Sequence, residues 1–311
     1  MIKNLVINGC GYGLFKVLGI IYTLNKNKLL NFNEIINLYG TSSGALISLV
    51  ICLTKFYDLN DIIEYLIEAN FDNVRHSKTT LDWLLIYKKK GLCTSNDFKS
   101  YIIPLLKKVN ISEEVTLSEF YNLTKKNVYI YLTLTNNDCG NFELIEVSHY
   151  THPNLKLLDA IYGSCAIPLA MIPLVLDDKI YIDGGFVCNY PIEMCIKDNN
   201  IDECLGIRAN RNVFNSNNKL SMNDNIIGFI LKIIYKSLDK ESFNDIKNTI
   251  IYDEDESGAS NLFKAFSSKD FRDYFKEGNK IAELVIKSEK LNFNSKRYEN
   301  KNLKIKRSIS F

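Results

Sequence analysis

The sequence predicts an α/β protein, and three observations in its first sixty residues lead there. "KNLVING" (3–9) is a short β-type run, "GLFKVLGIIYTLNK" (13–26) spaces its apolar residues as a helix does, and "NEIINLYG" (33–40) reads as strand again. A Gly-x-Ser-x-Gly then turns the chain sharply at Ser42 into "SGALISLVICLTKF", a buried helix. With 311 residues, 46% of them hydrophobic, the chain can bury a substantial core in one α/β domain with an appendage.

The later elements follow from the same periodicities. "LNDIIEYLIEA" (59–69) is an amphipathic helix, and 71–110 mixes charge clusters with "LDWLLIYKKKGL" and a helix capped near Thr94 or Ser95. Thr116 and Glu119 stand at capping-box spacing for a helix over 117–123. "NVYIYLTLT" and "FELIEVSHY" alternate around "NNDCGN" as the arms of a hairpin. A helix through "LKLLDAIYGSC" leads to Pro168, "MIPLVL" and a short strand, "KIYIDGG", that stops at Asp183. "ECLGIRA" (203–209) reads as a late buried strand, and the last hundred residues as helices and polar linkers.

Charge and cysteine usage exclude several classes. Lys and Arg number 38 against 36 Asp and Glu, a net charge of +2 that carries no footprint for nucleic acid. From Lys287 onward there are eight basic and two acidic residues, a tail of +6 on a body of −4. Such a tail suits an anionic surface, or is a solvated chain end. The opening strand runs straight into glycines without the long apolar region of a secretory signal, and the longest apolar stretch (45–53) falls short of the roughly 18–20 residues a membrane span needs. The expectation is a cytoplasmic protein with at most peripheral membrane contact. Eight cysteines without a CxxC spacing read as reduced core thiols. Cys188, Cys195 and Cys204, with His149 and His152, match no zinc module, and no calcium loop of the D-x-D-x-D-G type occurs.

The chemistry centres on Ser42. A nucleophile elbow needs a strand, a turn with small flanking residues and a helix that begins at once, and Gly40, Ser42 and Gly44 meet all three needs. The same residues also fit an ordinary glycine-rich helix cap. A base is required to take the hydroxyl proton. None of His76, His149 and His152 follows a buried strand, whereas Asp183 ends one and is followed by Gly184 and Gly185, which let backbone approach closely; an Asp-Gly-Gly turn has the same spelling. "NGCGYGL", at the first strand-to-helix turn, offers the N–H groups of Gly9, Cys10 and Gly11 as an anion-binding nest. A dinucleotide loop would need a third glycine where Leu14 or Lys16 stands.

Taken together, the glycine loop, GTSSG, "SCAIP" (164–168) and "YIDGGFVCNYP" (181–191) make the chain resemble the patatin-like phospholipases over 4–205. The resemblance implies a three-layer α/β/α sandwich with a mostly parallel central sheet and a helical C-terminal extension. The catalytic domain would span 1–209, a helical region 210–286 and a basic tail 287–311. It also implies a Ser42/Asp183 dyad without histidine, with Ser42 as nucleophile, Asp183 as general base and the glycine loop as oxyanion hole. The substrate would be a phospholipid or related lipid ester, with no metal or organic cofactor. The family's loop has three consecutive glycines, any residue, Arg or Lys, then glycine; here those places hold Gly9, Cys10, Gly11, Tyr12, Gly13 and Leu14. The cation is missing, and a Cβ at Cys10 requires a negative φ there. A degenerate member that binds lipid or a partner with little turnover is therefore the alternative. Trp83, Tyr87, Lys88, Lys89 and Lys90 form an aromatic and basic edge suited to membrane contact, or the end of a core helix.

Overall fold

The computed structural model describes residues 1–69, 86–210, 230, 245–253 and 267–288. Strand β1 (Asn4–Ile7) is wholly buried and leads through a 3-10 turn at Gly11–Gly13 into helix α1 (Leu14–Lys26). The strand expected over 33–40 is shorter, β2 (Asn37–Thr41), because a 3-10 turn takes Phe32–Glu34. The cause is local: Asn31 Oδ1 accepts the Asn33 N–H at 3.1 Å and Asn31 O that of Glu34 at 3.0 Å, so an asparagine turn outcompetes the strand. Helix α2 (Ser43–Leu53) is buried at every residue. Helix α3 (Leu59–Glu68) is capped by Asp58, which accepts the Asn60 N–H at 2.8 Å.

Strand β3 (Gly91–Cys93) precedes α4 (Ser95–Ser100), whose capping box pairs Thr94 with Asp97, and α5 (Ile103–Lys108). The expected box of Thr116 and Glu119 opens α6 (Leu117–Thr124). Strands β4 (Asn127–Leu134) and β5 (Glu143–Val147) form the expected hairpin, followed by α7 (Leu157–Ser164). The "LAMIPLVL" stretch holds two short strands, β6 (Leu169–Met171) and β7 (Leu174–Leu176), ahead of β8 (Lys179–Asp183). Then come α8 (Ile192–Asp198), β9 (Cys204–Asn210), β10 (Thr249–Asp253) and α9 (Ser268–Lys287).

The chain divides into two compact units. One comprises Met1–Val6, Cys10–Glu34 and Ile192–Phe311; the other Ile7–Gly9 and Ile35–Pro191. In the first, β9 and β10 pair in parallel from Thr249↔Gly206 to Asp253↔Asn210, with β1 next to β9. Helix α9 lies backbone to backbone on α1: a Cβ on Gly19 would fall 2.2 Å from Phe275 O, and one on Gly278 2.0 Å from Lys16 O. Phe15 stacks on Phe271 at 4.3 Å, and the buried Lys16 Nζ reaches Glu277 at 2.9 Å. Arg208 is paired with Asp245, both buried.

The second unit is organised by β4. Ile130 pairs with both Gly40 of β2 and Val147 of β5; Leu132 pairs with both Ile145 of β5 and Asp183 of β8. A strand has two edges, so β2 and β8 share the edge opposite β5. Along it β2 runs parallel and ends at Thr41 opposite Tyr131, while β8 runs antiparallel and ends at Asp183 opposite Leu132. Strand β7 extends β8 as a hairpin through Asp177 and Asp178, both left-handed (φ 48° and 61°), and β6 pairs in parallel with β3.

All eight cysteines are free thiols, but not all are core residues as expected: Cys139 is exposed in the β4–β5 turn and Cys188 half-buried. Among the described residues no helix is long and apolar enough to cross a membrane.

Candidate active site

Ser42 sits between β2 and α2 at φ 56° and ψ −124°, a conformation that costs a non-glycine residue about 1–3 kcal/mol. The flanking glycines are steric necessities of this turn. A Cβ on Gly40 would lie 2.4 Å from Gly44 C, and one on Gly44 2.3 Å from Ile7 O. Ser42 is the N-cap of α2, as the helix-cap reading expects, but through its main chain alone: its O accepts the Ala45 N–H at 2.9 Å, while its hydroxyl makes no cap bond. Ser42 is 6% exposed, beside the first turn of a helix whose N–H groups carry partial positive charge.

Asp183 reaches the same place from the opposite direction. The ends of β2 and β8 abut on one edge of β4, one residue rise apart in its register, about 3.3 Å. Gly184 permits this closeness, since a Cβ there would fall 2.1 Å from Tyr131 O and 3.1 Å from Thr41 Cγ2. Asp183 is 5% exposed, and its Oδ1 accepts the Gly185 N–H at 2.7 Å. The Asp-Gly-Gly turn is therefore real, and the same residue is also a buried carboxylate beside the serine elbow.

The glycine loop differs from expectation in one donor. Gly9 packs on the elbow, the site of its missing Cβ lying 3.0 Å from Ser42 Cβ. However, its N–H donates to Asn189 O at 3.1 Å and its O accepts from Asn189 Nδ2 at 3.0 Å and Asn8 Nδ2 at 3.1 Å. Cys10 has φ −138°, so its Cβ is accommodated, and the left-handed residue is Gly11 (φ 54°), where glycine is retained. Gly11 opens a 3-10 turn, whose first N–H groups have no intrahelical partner.

Two positioning side chains carried no signal in composition or periodicity. Ser164, at the end of α7, takes the Ser42 N–H on its hydroxyl at 2.8 Å, and Asn189, 3% exposed, holds Gly9 with its side-chain Nδ2 on Gly9 O and its main-chain O on the Gly9 N–H. Both lie inside the motifs that carry the family resemblance.

The histidines stand elsewhere. His149 stacks on Tyr121 at 3.8 Å and lies tilted against Tyr150 at 3.8 Å, and burial lowers its pKa. His152 Nδ1 bonds Thr151 Oγ1 at 2.9 Å, and His76 lies outside the described residues. Burial pushes the thiols of Cys52 and Cys93 up to about 12, which removes them as nucleophiles near neutral pH. Cys195 and Cys204 do meet, Sγ to Sγ at 3.5 Å, but no group of three or more metal-binding side chains forms among the described residues. Of the expected membrane edge, Trp83 lies outside the described residues; Tyr87 is 76% exposed, and Lys88, Lys89 and Lys90 are exposed beside it.

These features define a class: an α/β protein with a strained serine elbow beside a buried strand-end carboxylate. The chain belongs to the patatin-like phospholipase family, whose description matches residues 5–196. An uncharacterized protein of Acanthamoeba polyphaga mimivirus is 25% identical over 213 residues, 68% of this chain and 67% of its own length. "Probable lipid hydrolase 463L" of Invertebrate iridescent virus 6 is 25% identical over 205 residues, 64% of each chain. The chain thus spans about two thirds of the curated relatives it matches. The crystal structure of VipD from Legionella pneumophila has the same fold, with a TM-score of 0.53 at 16% identity over 92% of this chain and 67% of that one.

Proposed function

We propose that the chain is a serine acyl hydrolase acting on phospholipids or related lipid esters. Ser42 is the nucleophile, Asp183 the general base, and the glycine loop that follows β1 the oxyanion hole. The observation that carries this reading is the head-to-head meeting of β2 and β8 on one edge of β4, with a serine whose hydroxyl makes no cap bond just past one strand end and a buried carboxylate on the other. Family membership and the viral relative named as a lipid hydrolase support the substrate class.

In the first half-reaction the Ser42 Oγ–H proton passes to the Asp183 carboxylate as Oγ bonds the ester carbonyl carbon. The carbonyl oxygen becomes an oxyanion facing the loop N–H groups. Collapse breaks the C–O bond to the alcohol, which takes the proton back from Asp183 and leaves as lysolipid. Water then attacks the acyl-serine, its proton going to Asp183 and on to Ser42 Oγ, and the fatty acid departs.

A second reading, a lipid-binding member with little turnover, is favoured by the Gly9 N–H being committed to Asn189 O and by the missing loop cation. A fluorophosphonate probe with a phospholipid panel separates the two. The hydrolase reading expects labelling that Ser42→Ala abolishes, and an Asp183→Asn variant whose kcat falls about 10²–10⁴-fold. Absence of labelling in the wild type favours the binding protein. Activity that survives in Asp183→Asn but is lost in His149→Ala or His152→Ala replaces the dyad with a triad.

A further inference from the structure

We infer that Ser164 is a positioning residue that sets the spacing between Ser42 and Asp183, an inference resting on the dyad reading above. Its hydroxyl, with no solvent exposure, accepts the Ser42 N–H at 2.8 Å and donates to Tyr131 O at 2.7 Å. The directions are fixed, because the Tyr131 carbonyl can only accept and an amide N–H can only donate. Two residues further on, Ala166 O accepts the Asp183 N–H at 3.0 Å. A three-residue segment at the end of α7 therefore holds the main chains of both dyad residues.

The elbow needs this brace. Pairing of β2 with β4 ends at Thr41↔Tyr131, and the N–H of the buried Ser42 bonds the Ser164 hydroxyl instead of the Tyr131 carbonyl that continues the ladder. One hydroxyl, inserted between that N–H and the Tyr131 carbonyl, satisfies both. Removing it leaves a buried donor without a partner, and the elbow must shift to find one. A shift of about 1 Å at a reacting atom costs roughly 10²-fold in rate.

The test compares Ser164→Ala and Ser164→Thr with Ser48→Ala. Ser48 is an equally buried serine on the nucleophile's own helix, but its hydroxyl bonds only a helix carbonyl, Gly44 O at 2.9 Å. Two readouts are taken: hydrogen exchange of the peptide spanning residues 39–46, and kcat and KM on a short-chain p-nitrophenyl ester. In Ser164→Ala the Ser42 amide should exchange about 10-fold faster or more, and kcat should fall about 10²-fold while KM stays within about threefold. Ser164→Thr, which keeps the hydroxyl, should recover most of the rate, and Ser48→Ala should leave both readouts near wild type. The inference is overturned if folded Ser164→Ala turns over normally, if the loss lies in KM alone, or if Ser48→Ala loses as much. A wild type that cleaves no ester would refute the hydrolase reading. Exchange then decides: unchanged Ser42 protection in Ser164→Ala overturns the brace, and faster exchange supports it.

Discussion

Replacing Gly44 by alanine should disable the site although helix propensity favours the change. Gly44 lies in the first turn of α2, and a glycine-to-alanine exchange inside a helix gains about 0.8–1 kcal/mol. Here the new Cβ would lie 2.3 Å from Ile7 O, 2.9 Å from Ile7 C and 3.1 Å from Asn8 O, all main-chain atoms that cannot rotate aside. Restoring ordinary contact requires the helix start to move by roughly 1 Å, and overpacking of this kind costs about 1–3 kcal/mol. The two contributions nearly cancel in stability, leaving a net loss of about 0–2 kcal/mol. They do not cancel in rate, since the displaced element carries Ser42 and a 1 Å misplacement costs about 10²-fold in kcat. Thermal melts beside ester hydrolysis would show a small shift in Tm with a collapse in kcat. Gly140→Ala is the converse control: it has φ 69° and open space around it, so it should lose stability and keep its rate. A Gly44→Ala enzyme with wild-type kcat would refute the steric account of the motif.

Asn189→Ala removes one of the two amide donors to Gly9 O and should lower kcat by about 10-fold as the loop loosens, with a stability loss near 1 kcal/mol. Asn189→Asp is the sharper variant. Asn189 Oδ1 and Asp183 Oδ1 lie 2.8 Å and 3.0 Å from the place a Cβ on Gly185 would take, so a second carboxylate should move the acidic limb of the pH–rate profile to higher pH. An unshifted limb would mean that Asp183 is not the titrating base. Burial lowers the pKa of His149 and, with help from Lys179, of His152, so the unfolded chain binds more protons between those values and its own of about 6.5. Stability from these groups is present above that window and lost as pH falls through it. The Tm should drop between about pH 7.5 and 5.5, and His149→Phe, which keeps a ring against Tyr121 and Tyr150, should flatten the drop. An equally steep drop in the variant would show that the stacked ring is not responsible.

What could be read from the sequence was local. Capping boxes at Thr116/Glu119 and the stop of "KIYID" at two glycines are signals within a few residues, and both correspond to element ends. The strands β6 and β7 escaped because three residues carry no periodicity and their partners, β3 and β8, decide their existence. The fate of the Gly9 N–H was hidden for a related reason, since its acceptor lies 180 positions away in a loop. By periodicity Ser164 is one more small residue in a helix; it stands in the "SCAIP" motif of the family resemblance, and its role shows only in its bond to the elbow.

The direction of β8 gives the site its logic. In a purely parallel sheet the C-terminal ends of neighbouring strands lie side by side, one strand spacing of about 4.8 Å or more apart, and a side chain must reach across. Here β2 and β8 occupy the same edge of β4 with opposite polarity, so their C-terminal ends point at each other. A parallel strand in the place of β8 would present its N-terminal end to Ser42 and carry any strand-end carboxylate away. The antiparallel turn of the chain through Asp177 and Asp178 is therefore what delivers Asp183 to the elbow, and Gly184, pressed against Tyr131 O, is what lets it arrive. The end of α7 ties both main chains, that of Ser42 through the Ser164 hydroxyl and that of Asp183 through Ala166 O, so one short segment fixes the spacing of the two strand ends.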